Sequence, residues 1–584
     1  MYNTMKTSKL ISIALLSIAV ACSKENVTSE QGGSDANQYM AVNIAMPVGA
    51  SSKAPADNYR DGTEAESTVN VNNSIFLFYD AYGNYLTSGT ISATDGSVDA
   101  NGNLQLTTNP SNYVEKDSKA VIVLGPTRLR PALVLAVLNY NNCDALKNLS
   151  LADVHAHVDN NAISTDAGKF TMTNSVYVDG KNVVRATPIA ASSVKETKEE
   201  ALKSPVQIYV EREVVKVNMK AKDGLNKTAD GKVYFETADA EYVLDGVKVS
   251  ARIVVDGWAV NAFNTTSYLV KNVPDSWIAT NPFANWHDEA AKRTFWAQDP
   301  NYSGSEKYIF GRDPKDEPGT YKNVQYLSWK EATQNDVNSY NYMYENTTDK
   351  ASAKVNGGEL ANVPTILIAA HVEMAQSGAG WKRPDLYKFG GLFYTDNSLK
   401  NYATEQILKN KLHWEYTTTE GTKTASVNPD QINMELIANV AVADNSGSVK
   451  VKIAEVTAPA ADAKLMNADN TVIESANRAK AVEDILNGET GFNVAKNELV
   501  CYKDGMCYYQ VPIKHNQAAD DTAYGTVRNH IYELTLSKIA KLGNPVFNAD
   551  EKLVLIPGEE KNYYVSAELK ILKWRVVTQD VVIE

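Results

Sequence analysis

The sequence predicts a mainly-β chain of two β domains in tandem with short helices. Tyr (31) far exceeds Phe (12), which with abundant Val, Thr and Asn favours half-exposed sheets over helix bundles. Apolar residues recur in short, mostly alternating runs, and helical spacing is rare. At 584 residues the chain exceeds one ordinary domain and suffices for two to four with well-buried cores. No internal repeat of fixed period is present.

The start of the chain reads as an export signal. Lys6 and Lys9 precede an apolar run from Leu10 to Ala21, which ends Ala19-Val20-Ala21-Cys22. Basic, apolar, small, then cysteine is the layout of a bacterial lipoprotein signal over residues 1–21, with Cys22 as the lipidated residue. No later stretch reaches 18 consecutive apolar residues, so the expected anchor is lipid, not a spanning helix. A polar tether follows to about Gln38, opening with Ser23-Lys24-Glu25, which resembles the surface-export signal of Bacteroidetes lipoproteins.

Residues 39–46 form a compact strand signal, with Met40, Val42, Ile44 and Met46 alternating with Ala41, Asn43 and Ala45, and Pro47 ending the run. The polar stretch from Gly49 to Asn70 holds the isolated bases Lys53 and Arg60, where a trypsin-like protease would cut an exposed segment. The first domain is expected to contain strands at 75–79, 104–107, 120–124 and 133–138, and a helix over 150–158 with Ser150 as N-cap and Asp153 three residues on. A Ser/Thr/Lys/Glu-rich run over 192–203 reads as a linker, and a strand over 207–219 opens the second domain. There, strands are expected at 241–254, 365–372, 449–456, 507–513 and 531–536, and helices at 399–412 and 479–486.

The chain ends in two strand signals. Val565, Ala567, Leu569 and Ile571 alternate with polar residues; after a phase break near Lys573 come Trp574, Val576, Val577, Val581 and Ile583. A terminal apolar strand is either docked on its own sheet or an edge open to another chain.

Catalytic and metal chemistry is not expected. His155 and His157, two apart on the expected helix, do not share its face. His287, His371, His413, His515 and His530 have no metal-ligand spacing. There is no nucleophile elbow, P-loop or dinucleotide fingerprint, so no enzyme, metal or cofactor is predicted. Asp99-Ala100-Asn101-Gly102-Asn103 lacks the acidic last ligand of a calcium loop and reads as a hairpin turn. Acidic residues outnumber basic ones 70 to 57, giving −13, and loss of Lys6 and Lys9 with the signal takes this to −15. A net negative chain argues against a nucleic-acid partner. Beyond Cys22 the thiols are Cys143, Cys501 and Cys507. A two-residue turn at Asp504-Gly505 would put Cys501 and Cys507 on opposite faces; a three-residue bulged turn would bring them together. Free, packed thiols are the expectation.

Four segments, taken together, resemble the Bacteroidales fimbrillins, subunits of type V pili, and among them the major subunit of the short ("minor") fimbria. The first is the lipoprotein start with the alternating strand ending Met46-Pro47. The second is Val210-Glu211-Arg212-Glu213-Val214-Val215-Lys216-Val217, similar to the strand at the family's domain junction. The third is Val527-Arg528-Asn529-His530-Ile531-Tyr532, continuing to Lys541-Leu542-Gly543. The fourth is the ending with Trp574 amid Val. Tyr342-Met343-Tyr344-Glu345-Asn346-Thr347 also recurs among fimbrillins.

The resemblance implies two β-sandwich-like (transthyretin-like) domains, 54–206 and 207–548, and a donor-strand appendage over 549–584. It implies a lipidated propeptide, 22–53, cut off by a trypsin-like protease after Lys53 and before Ala54, with Arg60 as fallback. The strand Met40, Val42, Ile44, Met46 then leaves, and Trp574, Val576, Val577, Val581 and Ile583 of another copy fill its place. Five buried apolar side chains are worth on the order of 10 kcal/mol before ordering and association costs. The implied partners are other copies of the chain, anchor and tip subunits, the protease, and outer-membrane lipid through Cys22. The implied location is the outer membrane for the precursor and an extracellular fimbrium afterwards, serving adhesion and biofilm formation. The rivals are a surface glycan-binding lipoprotein, which the scattered Trp residues do not favour, and an anchor subunit of the same pilus, which would escape cleavage and keep its lipid.

Overall fold

The alternating strand near the start of the chain is what closes the first domain. The computed structural model describes residues 38–47, 59–60, 71–91, 107–108, 114–124, 130–159, 163, 169–237, 242–244, 247–280, 286–300, 324–347, 354–355, 359–360, 364–376, 380–439, 447–494, 497–515, 525–553, 565–566 and 575–583. The first domain is built on β1 (Gln38–Pro47), β2 (Ser74–Tyr79), β3 (Tyr85–Ile91), β4 (Val114–Leu124), β5 (Leu133–Leu138), β6 (Met172–Asn174) and β7 (Val206–Arg212). These pair in the order β1-β4-β3-β2-β5-β6-β7 and back to β1, a closed ring that is antiparallel except for the parallel β7–β1 pair. Closure leaves these strands no open edge.

The ring's interior holds Met40, Val42 and Ile44 from β1 with Phe76, Phe78, Ile122, Leu124, Val134, Leu138, Met172 and Ile208. Gly89 on β3 makes room for two of them: a Cβ there would lie 2.3 Å from Ile122 Cγ2 and 2.9 Å from the Phe78 ring. The intervening residues Ile75, Leu77, Tyr79, Leu135 and Val137 face outward, where Leu269, Val270, Trp277, Trp286 and Phe295 cover them. Two covered faces explain why 75–79 is apolar throughout instead of alternating.

The second domain is a sandwich. One sheet holds β8 (Val214–Ala221), and its order runs on from a partner strand on either side; the other is centred on β9 (Ala251–Asn261). With β10 (Ser339–Tyr344), β11 (Thr365–Gln376), β12 (Met506–Pro512), β13 (His530–Ile539) and β14 (Arg575–Ile583), the sheets read β14-β13-β8-β10 and β9-β11-β12. Val215, Val217 and Leu534 from the first sheet meet Ile253, Trp258, Ile368 and Val511 from the second in one core. A further lobe between β11 and β12 has its own core around Leu399, Trp414, Leu465, Val482 and Leu486.

Several expectations hold. Ser150 caps Leu151–His155 in a capping box, its Oγ accepting from the Asp153 amide at 3.1 Å. Strands stand at Val449–Val456 and cover the stretches expected at 365–372, 531–536 and, except for Ile513, 507–513. Others need correction. The strand expected over 207–219 is two strands that part at Glu213, the first closing the barrel and the second opening the sandwich. The run 192–203, read as a linker, holds a short strand at Val194–Lys195 that pairs with β1 and a helical turn at Lys198–Ala201. The strand over 241–254 is broken into Tyr242–Leu244, Val247–Val249 and β9. The helix over 399–412 is an α-helix at Asp396–Tyr402 running into a π-helix at Ala403–Leu408, and Leu412 starts a strand. The turn at 99–103 and most of the strand at 104–107 lie outside the described residues.

Cys501 and Cys507 are buried free thiols. Cys501 stands opposite Tyr387, and Cys507 opposite Ala370, in different sheets, so the turn between them does not bring them into register. Burial pushes both thiols up to about 12.

Candidate strand-exchange site

β1 has neighbours on both sides. It runs antiparallel along β4, from Gln38 opposite Leu124 to Pro47 opposite Val114, with a register shift between Ala45 and Pro47. On its other side Val42 to Ala45 pair in parallel with Val206 to Tyr209. Met40, Val42 and Ile44 are fully buried in the barrel. Ala41 faces outward against Val121 and Ala201, and Asn43 donates from Nδ2 to Gln207 Oε1 at 2.7 Å. The side chain of Met46 lies outside the described residues, although its backbone belongs to β1. At about 1.5–3 kcal/mol per side chain, burying Met40, Val42 and Ile44 contributes roughly 5–9 kcal/mol.

The terminal strand β14 is docked on the chain's own sheet. It runs parallel to β13, from Arg575 opposite His530 to Ile583 opposite Ile539. Its other edge is covered by two short strands: Tyr59 and Arg60 stand opposite Val577 and Val576, and Val565 and Ser566 opposite Ile583 and Val582. The structure therefore gives Val576, Val577, Val581 and Ile583 backbone partners within the same chain, and puts Arg60 in a strand paired with them. Trp574, Lys53, Ala54 and Cys22 lie outside the described residues. Among the described residues, no helix is long and apolar enough to cross a membrane.

Sequence reasoning missed what holds the two domains together. Lys271 donates to Glu211 Oε2 at 2.9 Å and to the Thr294 carbonyl at 2.6 Å, with both charged side chains fully buried. Arg528 donates to Glu345 Oε1 at 2.6 Å, to the Tyr268 carbonyl at 2.7 Å and to Ser267 Oγ at 3.0 Å. Arg212, at the end of β7, donates to Asn529 Oδ1 at 2.9 Å. Burial lowers the Lys271 ammonium to about 8 against the pull of Glu211, and raises the Glu213 carboxyl well above its ordinary value against Arg528. The signal lay in the sequence as charges between valines inside a strand, Val210-Glu211-Arg212-Glu213-Val214, which an exposed linker would not require.

Removing one partner of such a network strands the other. Arg528→Met is expected to lower unfolding free energy by about 3–5 kcal/mol. Denaturant unfolding reads this directly, and an unchanged midpoint and slope would refute the stabilising role. The histidines of the first domain have packing roles. His157 Nε2 lies 2.9 Å from Tyr140 Oη, and His155 is held neutral, its pKa lowered by burial to about 3.

Residues 500–580 match the family described as "Major fimbrial subunit protein type IV, Fimbrillin, C-terminal". No curated protein matches the chain. Similar solved structures include a putative cell adhesion protein from Parabacteroides distasonis, at 11% identity and TM-score 0.32, covering 94% of this chain and 99% of that one. A fimbrial assembly protein from the same organism has 12% identity and TM-score 0.26, covering 59% and 85%. The tip fimbrial protein Mfa3 from Porphyromonas gingivalis, with C-terminal truncation, has 11% identity and TM-score 0.25, covering 67% and 99%. Likenesses of that size carry no argument about mechanism. The matched segment spans β12, β13 and most of β14, so it is the C-terminal region of the chain that is similar to that family.

Proposed function

We propose that the chain is a structural, non-enzymatic shaft subunit of a cell-surface fimbria, exported as a lipoprotein through Cys22, cut after Lys53 and polymerised by strand exchange. One observation carries the reading. β1 closes the barrel, and both candidate cut sites follow it in the chain. A single cleavage therefore turns β1 from a covalent part of the subunit into a bound peptide. Its departure leaves the unpaired edges of β4 and β7 and an opened core where Met40, Val42 and Ile44 sat. The nine-residue β14 is close to the ten-residue β1 in length.

The two cut sites would act differently. Arg60 is hydrogen-bonded in a strand, which protects it from a protease needing extended, unpaired chain. Cutting after Lys53 would free β1 alone. Cutting after Arg60 would also detach Tyr59–Arg60 from the edge of β14. The double variant Lys53→Ala, Arg60→Ala is expected to stay a full-length monomer. Ladders from it on semi-native gels would overturn the processing step. The N-terminal residue of the surface-extracted protein separates shaft from anchor: Ala54 is expected, and a blocked, lipidated Cys22 would favour the anchor.

A further inference from the structure

Where the end of the barrel meets the sandwich, the structure has a cavity of about 300 Å³. Its floor is Tyr140, Asp159, Phe170, Glu213 and Tyr344, all buried; at its mouth Asn72, Asn73, Asn141 and Lys169 are exposed. The segments that supply it are the turns before β2 and β6, the turn after β5, the short strand Val158–Asp159, the joint between β7 and β8, and the end of β10. Asn139 braces the wall: its Oδ1 accepts from the Asn72 amide at 2.8 Å, and its Nδ2 donates to the Phe170 carbonyl at 3.2 Å. Glu213, only 2% exposed, lines the floor, and its Oε1 has no hydrogen-bond partner. A buried carboxyl with one unpartnered oxygen on a residue that lines a cavity marks the floor as polar.

We propose that this junction cavity binds one neutral sugar ring, such as the terminal monosaccharide of a glycan. Side-chain amides both donate and accept, as hydroxyl groups do, and a rim with three of them suits a polyhydroxylated ligand. Tyr140, Phe170 and Tyr344, each at most 4% exposed, contribute a small apolar patch to the floor, against which one C–H edge of a pyranose can rest. Burial pushes the Glu213 carboxyl well above its ordinary value, which favours the neutral acid on the floor and so a neutral ligand over a cation. An anion would find one exposed lysine and two carboxyl groups. The volume is at the small end of ligand pockets and fits one ring, not a chain.

The test is saturation-transfer NMR and calorimetry on the full chain, with methyl glycosides of mannose, galactose, fucose, glucose and N-acetylglucosamine as probes. At least one is expected to bind in the millimolar range or tighter. Asn73→Ala with Asn141→Ala, both at exposed positions, is expected to weaken it about tenfold or more through lost hydrogen bonds. Glu213→Gln, which keeps a neutral donor and acceptor, is expected to retain binding within a few fold. Absence of binding by every glycoside at millimolar concentration would overturn the proposal, as would binding that the double Asn variant leaves unchanged. The test does not depend on assembly, so its failure leaves the strand-exchange reading untouched.

Discussion

Deleting residues 574–584 is expected to leave a subunit that folds and accepts a strand but does not donate one. The slot bounded by β4 and β7 belongs to a different domain from β14, so the deletion does not touch it. β13 keeps β8 as a neighbour on its other side, and Ile531, Leu534 and Leu536 stay in a core that draws on both sheets. What is lost is the strand that would fill the next subunit's slot, with five apolar side chains worth on the order of 10 kcal/mol before association costs. Processed truncated protein should stay monomeric alone. Mixed with intact subunits, it should cap growing fibres and shorten them in proportion to its share. Electron microscopy of the mixtures reads this outcome, and fibres of normal length from the truncated protein alone would refute the donor role.

The parts of the site that were legible in the sequence were those written as local period. Met40, Val42 and Ile44 are two apart, and that spacing alone puts them on one face of a strand, now the inside of the barrel. The Ser150–Asp153 box was legible for the same reason, since a cap is a three-residue affair. The break at Glu213 was not legible. β7 and β8 continue one another along the chain, and the charges at 211–213, which mark a buried joint, do not say that the partner changes there from β1 to β13. That information sits in remote residues such as Asn529, which binds Arg212. In the lobe around Trp414 the strand at Val449–Val456 and the helix Arg478–Leu486 were legible as period, whereas the strand Gly421–Ser426 was not, because exposed Thr and Lys leave it no apolar alternation. The junction network and cavity draw on segments hundreds of residues apart, though Glu211, Arg212, Glu213, Glu345, Arg528 and Asn529 all fall in motifs that resemble the fimbrillins.

A precursor lacking residues 22–53 should behave as a subunit whose slot has never been filled. Without Met40, Val42 and Ile44 it loses roughly 5–9 kcal/mol of burial and the backbone pairing on both sides of β1. The exposed edges of β4 and β7 then form a template for any extended chain. Protein expressed from Ala54 is therefore expected to associate in a concentration-dependent way without a protease, whereas the full-length precursor stays monomeric. A synthetic peptide of residues 38–47, added in excess, should hold the shortened protein as a monomer. A peptide of residues 575–583 should compete for the same slot. The control is the 38–47 peptide with Met40, Val42 and Ile44 all changed to Ser. It keeps the backbone but not the buried groups, and at about 1.4 kcal/mol per tenfold it should bind at least about a thousandfold more weakly. Equal blocking by that control would mean that the slot does not read side chains. A shortened protein that remains monomeric at every concentration, with its barrel folded, would mean that β1 is not what holds assembly in check.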